Sequence, residues 1–239
     1  MTLFDPETLN GTNKMENDSF EKYDQLLQDS APILREWKAH DRLRPPAFNI
    51  FRTLGLACRE VNTHSAMIVH LLDPNSSHAQ GTLFLENFLE IVSAACIKQG
   101  MIVEMPKVDN HSLWNCRKEV SLPEGLGQVD IILTGPKLLI LIENKIFAGD
   151  QKEQLQRYWT FAEREVEGQN ILPLIIYLTP YGHPPTDQSI GPSSELQHNL
   201  ILLSYHEHIF QLIARCLPKI DAISVSEILQ QYASLVKEL

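Results

Sequence analysis

GQVDIILTGPKLLILIENKIFAGDQKEQLQRY, residues Gly127 to Tyr158, is the stretch that decides how this chain reads. Two apolar runs, Val129–Leu133 and Leu138–Ile142, are joined by a Gly135-Pro136 turn signal. Asp130 interrupts the first, and Glu143-Asn144-Lys145 closes the second. Five consecutive apolar residues predict a strand covered on both faces, so the charges beside them sit at the edge of a core. Charges there are costly unless paired or bound to a cation. If Gly135 and Pro136 are the two turn residues, Thr134 faces Lys137 and Asp130 faces Leu141. Side chains share a face every second residue, so Glu143 and Lys145 fall on the face of Asp130. Asp130 and Glu143 are then diagonal neighbours, about 7–8 Å apart.

Two carboxylates so placed can converge on one hard cation such as Mg²⁺, with a backbone carbonyl as a third ligand. The chemistry that suits the set is metal-assisted hydrolysis, with Lys145 orienting water or neutralising charge on a phosphate. On these residues alone, a solvated hairpin end with an incidental Glu/Lys pair is the alternative.

The rest of the chain supplies the frame. Its 239 residues, 44% hydrophobic and 21% charged, are ordinary for a soluble globular protein with one good-sized core. No apolar run approaches the roughly 18–20 residues that span a bilayer, and the N-terminus lacks an apolar signal segment. A cytoplasmic protein that engages no membrane is expected. The four cysteines form no CxxC pair, which argues for free, mostly buried thiols rather than structural zinc. The net charge of −10 argues against a uniformly nucleic-acid-binding surface. Residues 98–164 are nonetheless balanced, with nine acids and nine bases.

In chain order, residues 1–13 read as a disordered tail. Met15–Ala39 reads as helix interrupted near Ala31-Pro32, Ala47–Leu72 as helix with a split at Asn62-Thr63, and Thr82–Lys98 as an amphipathic helix. The period then changes to two: Met101–Val108 and Leu113–Leu122 read as strands ahead of the central hairpin. Asp150 and Glu153 fit a capping box opening a helix that runs to Val166. Strands are expected at Ile171–Leu178 and Leu200–Ser204, with a long polar loop, Thr179–Gln197, between them. Helices at His206–Leu217 and Ser224–Leu239 close the chain. The domain reading is a tail (1–13), a helical region packed on the core (14–98), the core itself (99–204) and C-terminal helices (205–239).

Asp130 on one strand, Glu143-Asn144-Lys145 on the next and Gln154-Leu155-Gln156-Arg157-Tyr158 on a helix together resemble the PD-(D/E)XK nuclease superfamily. The QxxxY helix looks like its RecB/lambda-exonuclease-like branch. IENKIFAGDQKEQLQRY, with EVNTHSAMIVHLLDPNSSHAQGTLFLENFL (Glu60–Leu89) upstream, looks like a family of uncharacterised bacterial members. The resemblance covers Glu60 to Ser204. It implies an α/β, restriction-endonuclease-like core, a mixed sheet flanked by helices in α-β-β-β-α-β order, with an N-terminal helical part. It also implies a Mg²⁺-dependent nuclease (Mn²⁺ substituting) acting on DNA, with RNA not excluded, in defence or repair. Asp130 and Glu143 would be metal carboxylates, Asn144 would lend its carbonyl, and Lys145 would be the catalytic lysine. Gln154 and Tyr158, four apart on one helical face, would position the backbone of the substrate or the lysine. Val129 stands where the superfamily's name has proline. The alternative is a catalytically silent binding module that keeps the fold.

Superfamily members commonly add an acid from an N-terminal helix. Glu60 is the first candidate here and Glu86 the second, each weighed against a solvated helix face. Glu119, on the strand before Asp130, is a candidate outer acid. His64, His70 and His78 cluster in sequence at poor spacing for zinc, and His78 suits loop capping better than phosphate contact. Asp73 reads as a turn residue before Pro74, and N-capping accounts for Asp150.

Overall fold

The apolar runs and the alternating segment after Leu113 meet in one five-stranded sheet. The computed structural model describes residues 48–239 throughout and, before them, scattered positions between Lys22 and Pro45. The chain divides into units 1–48 and 49–239. Positions described between Lys22 and Ala39 are helical, Ala31 and Pro32 included, so the interruption expected there is not seen. The tail 1–13 lies outside the described residues.

In the second unit the strands are β1 (Asn115–Leu122), β2 (Gly127–Gly135), β3 (Leu138–Asn144), β4 (Leu172–Thr179) and β5 (Leu200–Ser204). They lie side by side in sequence order. The first two pairings are antiparallel and the last two parallel, so the sheet is mixed. The hairpin register differs from the sequence reading by two residues. Thr134 faces Leu139 and Gly135 faces Leu138, which makes Pro136 and Lys137 the turn. Proline fits there because the first central turn position wants φ near −65°. An even shift leaves every side chain on its expected face. Carried one step beyond Ile131 and Ile142, the register sets Asp130 directly opposite Glu143 rather than diagonal to it.

Each face of the sheet is covered. Leu138, Ile140, Ile142, Leu174, Ile176, Ile201 and Leu203 join the larger core with α2 (Ala66–Leu72), α3 (Leu83–Lys98), α7 (Phe210–Cys216) and α8 (Ile223–Val236). Leu139, Leu141, Ile175 and Tyr177 face α4 (Gln154–Val166), which buries Leu155, Tyr158, Trp159 and Ala162 at helical spacing. That two-sided burial is why β3 reads as a continuous apolar run.

Four other expectations change. The long N-terminal helix is broken: α1 (Ile50–Thr53) ends at Gly55, whose φ of +67° suits glycine, and a π-helical turn (Glu60–Ser65) leads into α2. Met101–Val108 is extended but belongs to no strand. Its alternation is real, since Met101, Val103 and Met105 are half-buried against the larger core while Ile102 is exposed, yet Pro106 removes a ladder donor. Two short helices, α5 (Asp187–Ile190) and α6 (Ser194–Asn199), punctuate the polar loop. The C-terminal helices begin with a π-helical turn (Tyr205–Ile209) before α7. As expected, the thiols are free, with Cys96, Cys116 and Cys216 buried and Cys58 exposed. No helix among the described residues is long and apolar enough to cross a membrane.

The hairpin is tied down by Trp114, 1% exposed, which lies over Gly135. A Cβ on Gly135 would come within 2.6–2.7 Å of three indole atoms. Gly135→Ala is therefore expected to cost about 1–3 kcal/mol by overpacking. Urea unfolding would show it as a lower midpoint at constant slope, and an unchanged midpoint would refute this packing.

Candidate active site

At the end of the β1–β3 layer, one residue per strand faces α4 in a single row. Glu119 stands opposite Asp130, Asp130 opposite Glu143, and Glu143 beside Tyr177 on β4. Glu119, at φ 51°, steps out of the ladder between the paired residues Lys118 and Val120. The three acids of the row floor a cleft of about 260 Å³ that Glu60, Lys145, Gln151, Gln154, Arg157 and Tyr158 also line.

Glu143 is 2% exposed and both its carboxylate oxygens are bonded. Oε1 accepts from Lys145 Nζ at 2.7 Å and from Gln154 Nε2 at 2.8 Å, and Oε2 lies 2.8 Å from the Tyr158 hydroxyl. Burial, then the charge of Asp130, pushes Glu143 up to about 7 against the pull of Lys145 and Tyr158. Tyr158 Oη is also 2.5 Å from the carbonyl of Gln128 and accepts from Gln154 Nε2 at 3.0 Å. One hydroxyl proton serves one acceptor at a time. Tyr158 therefore donates to Glu143 when that acid is ionised and to Gln128 when the acid carries its own proton. Gln154 Oε1 is buried and has no partner among the described residues.

Asp130 is pushed up to about 6, chiefly by burial, against the Asn144 N–H and the charge of Lys145. Its Oδ2 accepts the Asn144 amide at 2.8 Å. The next amide, Lys145 N–H, bonds to Leu178 of β4, so Asn144 turns its backbone toward β2 and Asp130. The Asn144 side chain points into the larger core, where Nδ2 donates to Ser65 Oγ (2.9 Å) and Oδ1 accepts from Tyr205 (3.0 Å). Ser65 and Tyr205 thus fix the residue between Glu143 and Lys145 from behind. Neither was visible in the local pattern, because they lie 79 and 61 residues away.

Residues 48–238 match the family model of the PD-(D/E)XK nuclease superfamily. The chain belongs to that superfamily. Searches of curated proteins and of solved structures return no match. Membership points to nuclease chemistry, and the mixed five-stranded sheet with helices on both faces is the α/β, restriction-endonuclease-like fold the sequence suggested.

The structure brings Asp130, Glu143, Lys145, Gln154 and Tyr158 together, and Asn144 joins them through its backbone. Glu60 lines the cleft, but its Oε2 accepts the amides of Ile146 (3.1 Å) and Phe147 (2.9 Å), so it anchors the loop after β3. Glu86 is not at the site. It lies on α3, across the sheet, beside Met105 and Lys107. Asp150 does not cap α4, whose N-cap is Glu153 without a side-chain bond. Instead it accepts from Tyr177 Oη and Thr186 N, both at 2.7 Å, and tethers the loop after β4. Burial alone would raise Asp150; those two donors outweigh it and hold the carboxyl below its ordinary value. Gln151 lines the cleft, and so does Arg157, a cation the QxxxY pattern passes over.

The histidines are structural. His64 is fully buried between the Ala57 carbonyl (3.0 Å) and the Tyr232 hydroxyl (3.2 Å), and burial lowers its pKa. His78 accepts from Gln80 N (2.9 Å) and faces the Asp73 carbonyl (3.1 Å), closing the turn. His70 packs edge-on against it. Asp73 accepts the Asn75 amide, as a turn residue should. Among the described residues no three His, Cys, Asp or Glu side chains gather closely enough to hold an ion by themselves.

Proposed function

We propose that this protein is a divalent-cation-dependent nuclease that hydrolyses DNA phosphodiester bonds. The observation that carries the reading is the charge in the cleft. Four carboxylates, Glu60, Glu119, Asp130 and Glu143, face two cations, Lys145 and Arg157. A polyanion cannot settle against that surface unless a further cation comes with it. The buried acids of the pair, held up by desolvation and by neighbouring carboxylates, are what a divalent ion would relieve. The donor set is all oxygen, which suits Mg²⁺ or Mn²⁺. Asp130, Glu143 and the Asn144 carbonyl would hold the ion. It would supply Lewis acidity toward a phosphoryl oxygen and make water acidic enough to attack.

The protein's own groups divide the remaining work. Lys145, held by its buried pairing with Glu143, offers an ammonium to negative charge gathering on the phosphate. Gln154 and Tyr158 clamp the Glu143 carboxylate from α4. The Gln154–Tyr158 contact also supports placing the chain in the RecB/lambda-exonuclease-like branch. Domain roles follow: the helices before and behind the sheet support Asn144, and the sheet with α4 forms the site.

Plasmid and linear DNA incubated with Mg²⁺, with Mn²⁺ or with EDTA provide the test. Cleavage with either ion, lost in EDTA, is the expected result. Intact substrate under every condition would favour a catalytically silent, nucleic-acid-binding use of the fold.

A further inference from the structure

We infer that Tyr181 is a stacking platform for an unstacked base of the DNA strand seated in the cleft, so that single-stranded or frayed DNA is the preferred substrate. This rests on the nuclease reading and names the substrate class of the same site. The observation is an aromatic ring that the fold holds out in solvent. Tyr181 is 71% exposed, and its inner face lies on the His206 ring at 4.6 Å between centroids and 18° between planes. Among the described residues no second ring stacks on it, which leaves its outer face for another planar partner. The backbone on both sides is pinned: His206 N–H donates to the Pro180 carbonyl (3.1 Å), and Gly182 N–H donates to Thr179 Oγ1 (2.8 Å). Pro180 fixes its own φ, and Gly182 takes the φ of +79° that closes the turn. A chain that only needed a polar turn here would have no reason to support a ring from beneath.

Position ties the ring to the cleft. The Leu178 carbonyl accepts the amide of Lys145, and Tyr181 follows it by three residues, at most about 11 Å of chain. The same loop returns to the site through His183, edge-on against Tyr177, and Thr186, bonded to Asp150. Tyr177 is the neighbour of Glu143 in the carboxylate row. Tyr181 therefore lies on the loop that leaves β4 next to Lys145, on the course we assign to a strand running out of the cleft. Bases inside a duplex are already stacked on both faces, so away from a duplex end only a base taken out of the helix can use the ring. Base–aromatic stacking tolerates any sequence, because every base has a π-face.

Two readouts on the full chain test this, with wild type, Tyr181→Ala and Tyr181→Phe. Steady-state cleavage of a single-stranded oligonucleotide and of its blunt duplex, with Mg²⁺, is the first. Tyr181→Ala is expected to raise KM for the single strand roughly 10- to 100-fold with kcat little changed. It should alter duplex cleavage less than about 3-fold, and Tyr181→Phe should behave as wild type. The second is fluorescence of a 2-aminopurine oligonucleotide bound with Ca²⁺ in place of Mg²⁺, which gives the cleft a cation while binding is read apart from cleavage. Quenching by wild type and Tyr181→Phe but not by Tyr181→Ala supports the platform even if nothing is cleaved. Equal losses on single strand and duplex, unchanged quenching in Tyr181→Ala, or no binding of single strands by wild type would each overturn it.

Discussion

Asp130→Asn is expected to abolish detectable cleavage and, at the same time, to raise the thermal midpoint of the metal-free protein at pH 8. Both follow from one carboxylate. Asp130 is buried enough to be pushed up to about 6, with Glu60 and Glu119 adding to the repulsion. A folded-state pKa above the unfolded value means that the group favours folding below about pH 4, and that this contribution is lost as pH rises through about 6. At pH 8 the charge is a standing cost. Asparagine keeps the Asn144 N–H bond through its amide oxygen and drops the charge, which should return on the order of 1–2 kcal/mol, or about 2–6 °C. The gain should shrink at pH 5, where the wild-type acid is already neutral. Mg²⁺ should raise the wild-type midpoint by mass action and leave Asp130→Asn unmoved. Thermal melts at both pH values, with and without Mg²⁺, measure all of this. The same Mg²⁺ shift in both proteins would remove Asp130 from the metal site.

The sheet and the central residues were legible because their signals are local. Alternation, the glycine-proline turn and an apolar run fix which residues share a face, and parity survived a two-residue error in register. A one-residue error would have sent Glu143 into the opposite core. Signals that compete at short range misled. Met101–Val108 alternates like a strand because it lays alternate side chains on a core, and periodicity reports burial rather than pairing. Asp150-x-x-Glu153 has the composition of a capping box, but Tyr177 and Thr186 supply stronger donors from the next strand and loop. What lay beyond the sequence is long-range. Choosing Glu60 over Glu86 depends on which helix crosses which end of the sheet. Ser65 and Tyr205 meet at Asn144 only once that sheet is built. Arg157 looks like an ordinary surface residue until the cleft it lines exists.

Replacing Lys145 separates chemistry from binding. Lys145→Met should lower the rate of cleavage about 10²- to 10³-fold or more, since the buried ammonium is the charge nearest the carboxylate pair and would leave nothing comparable behind. Oligonucleotide affinity should move only a few-fold, because Arg157 and the platform loop are untouched. Methionine fills the 6%-exposed space of the lysine stem without its charge. Stability should then depend on pH in a way that reveals the pair. Removing one partner of a buried ion pair ordinarily costs about 3–5 kcal/mol, because the other charge stays behind. Glu143, already raised to about 7, can escape that cost by taking up a proton, and without Lys145 its affinity for protons rises further. Lys145→Met should therefore be close to wild type in stability at pH 5.5 and clearly weaker at pH 8.5. Tyr158 would meet the protonated acid by turning its own hydrogen to the Gln128 carbonyl, so the network can absorb the change. Lys145→Arg keeps the charge but spreads it over a planar fork too wide for a site built around one ammonium. It should recover stability at pH 8.5 more than cleavage. Denaturant unfolding at the two pH values, beside single-turnover cleavage, separates these outcomes. Cleavage by Lys145→Met within about 10-fold of wild type would leave the ion pair with a folding role alone.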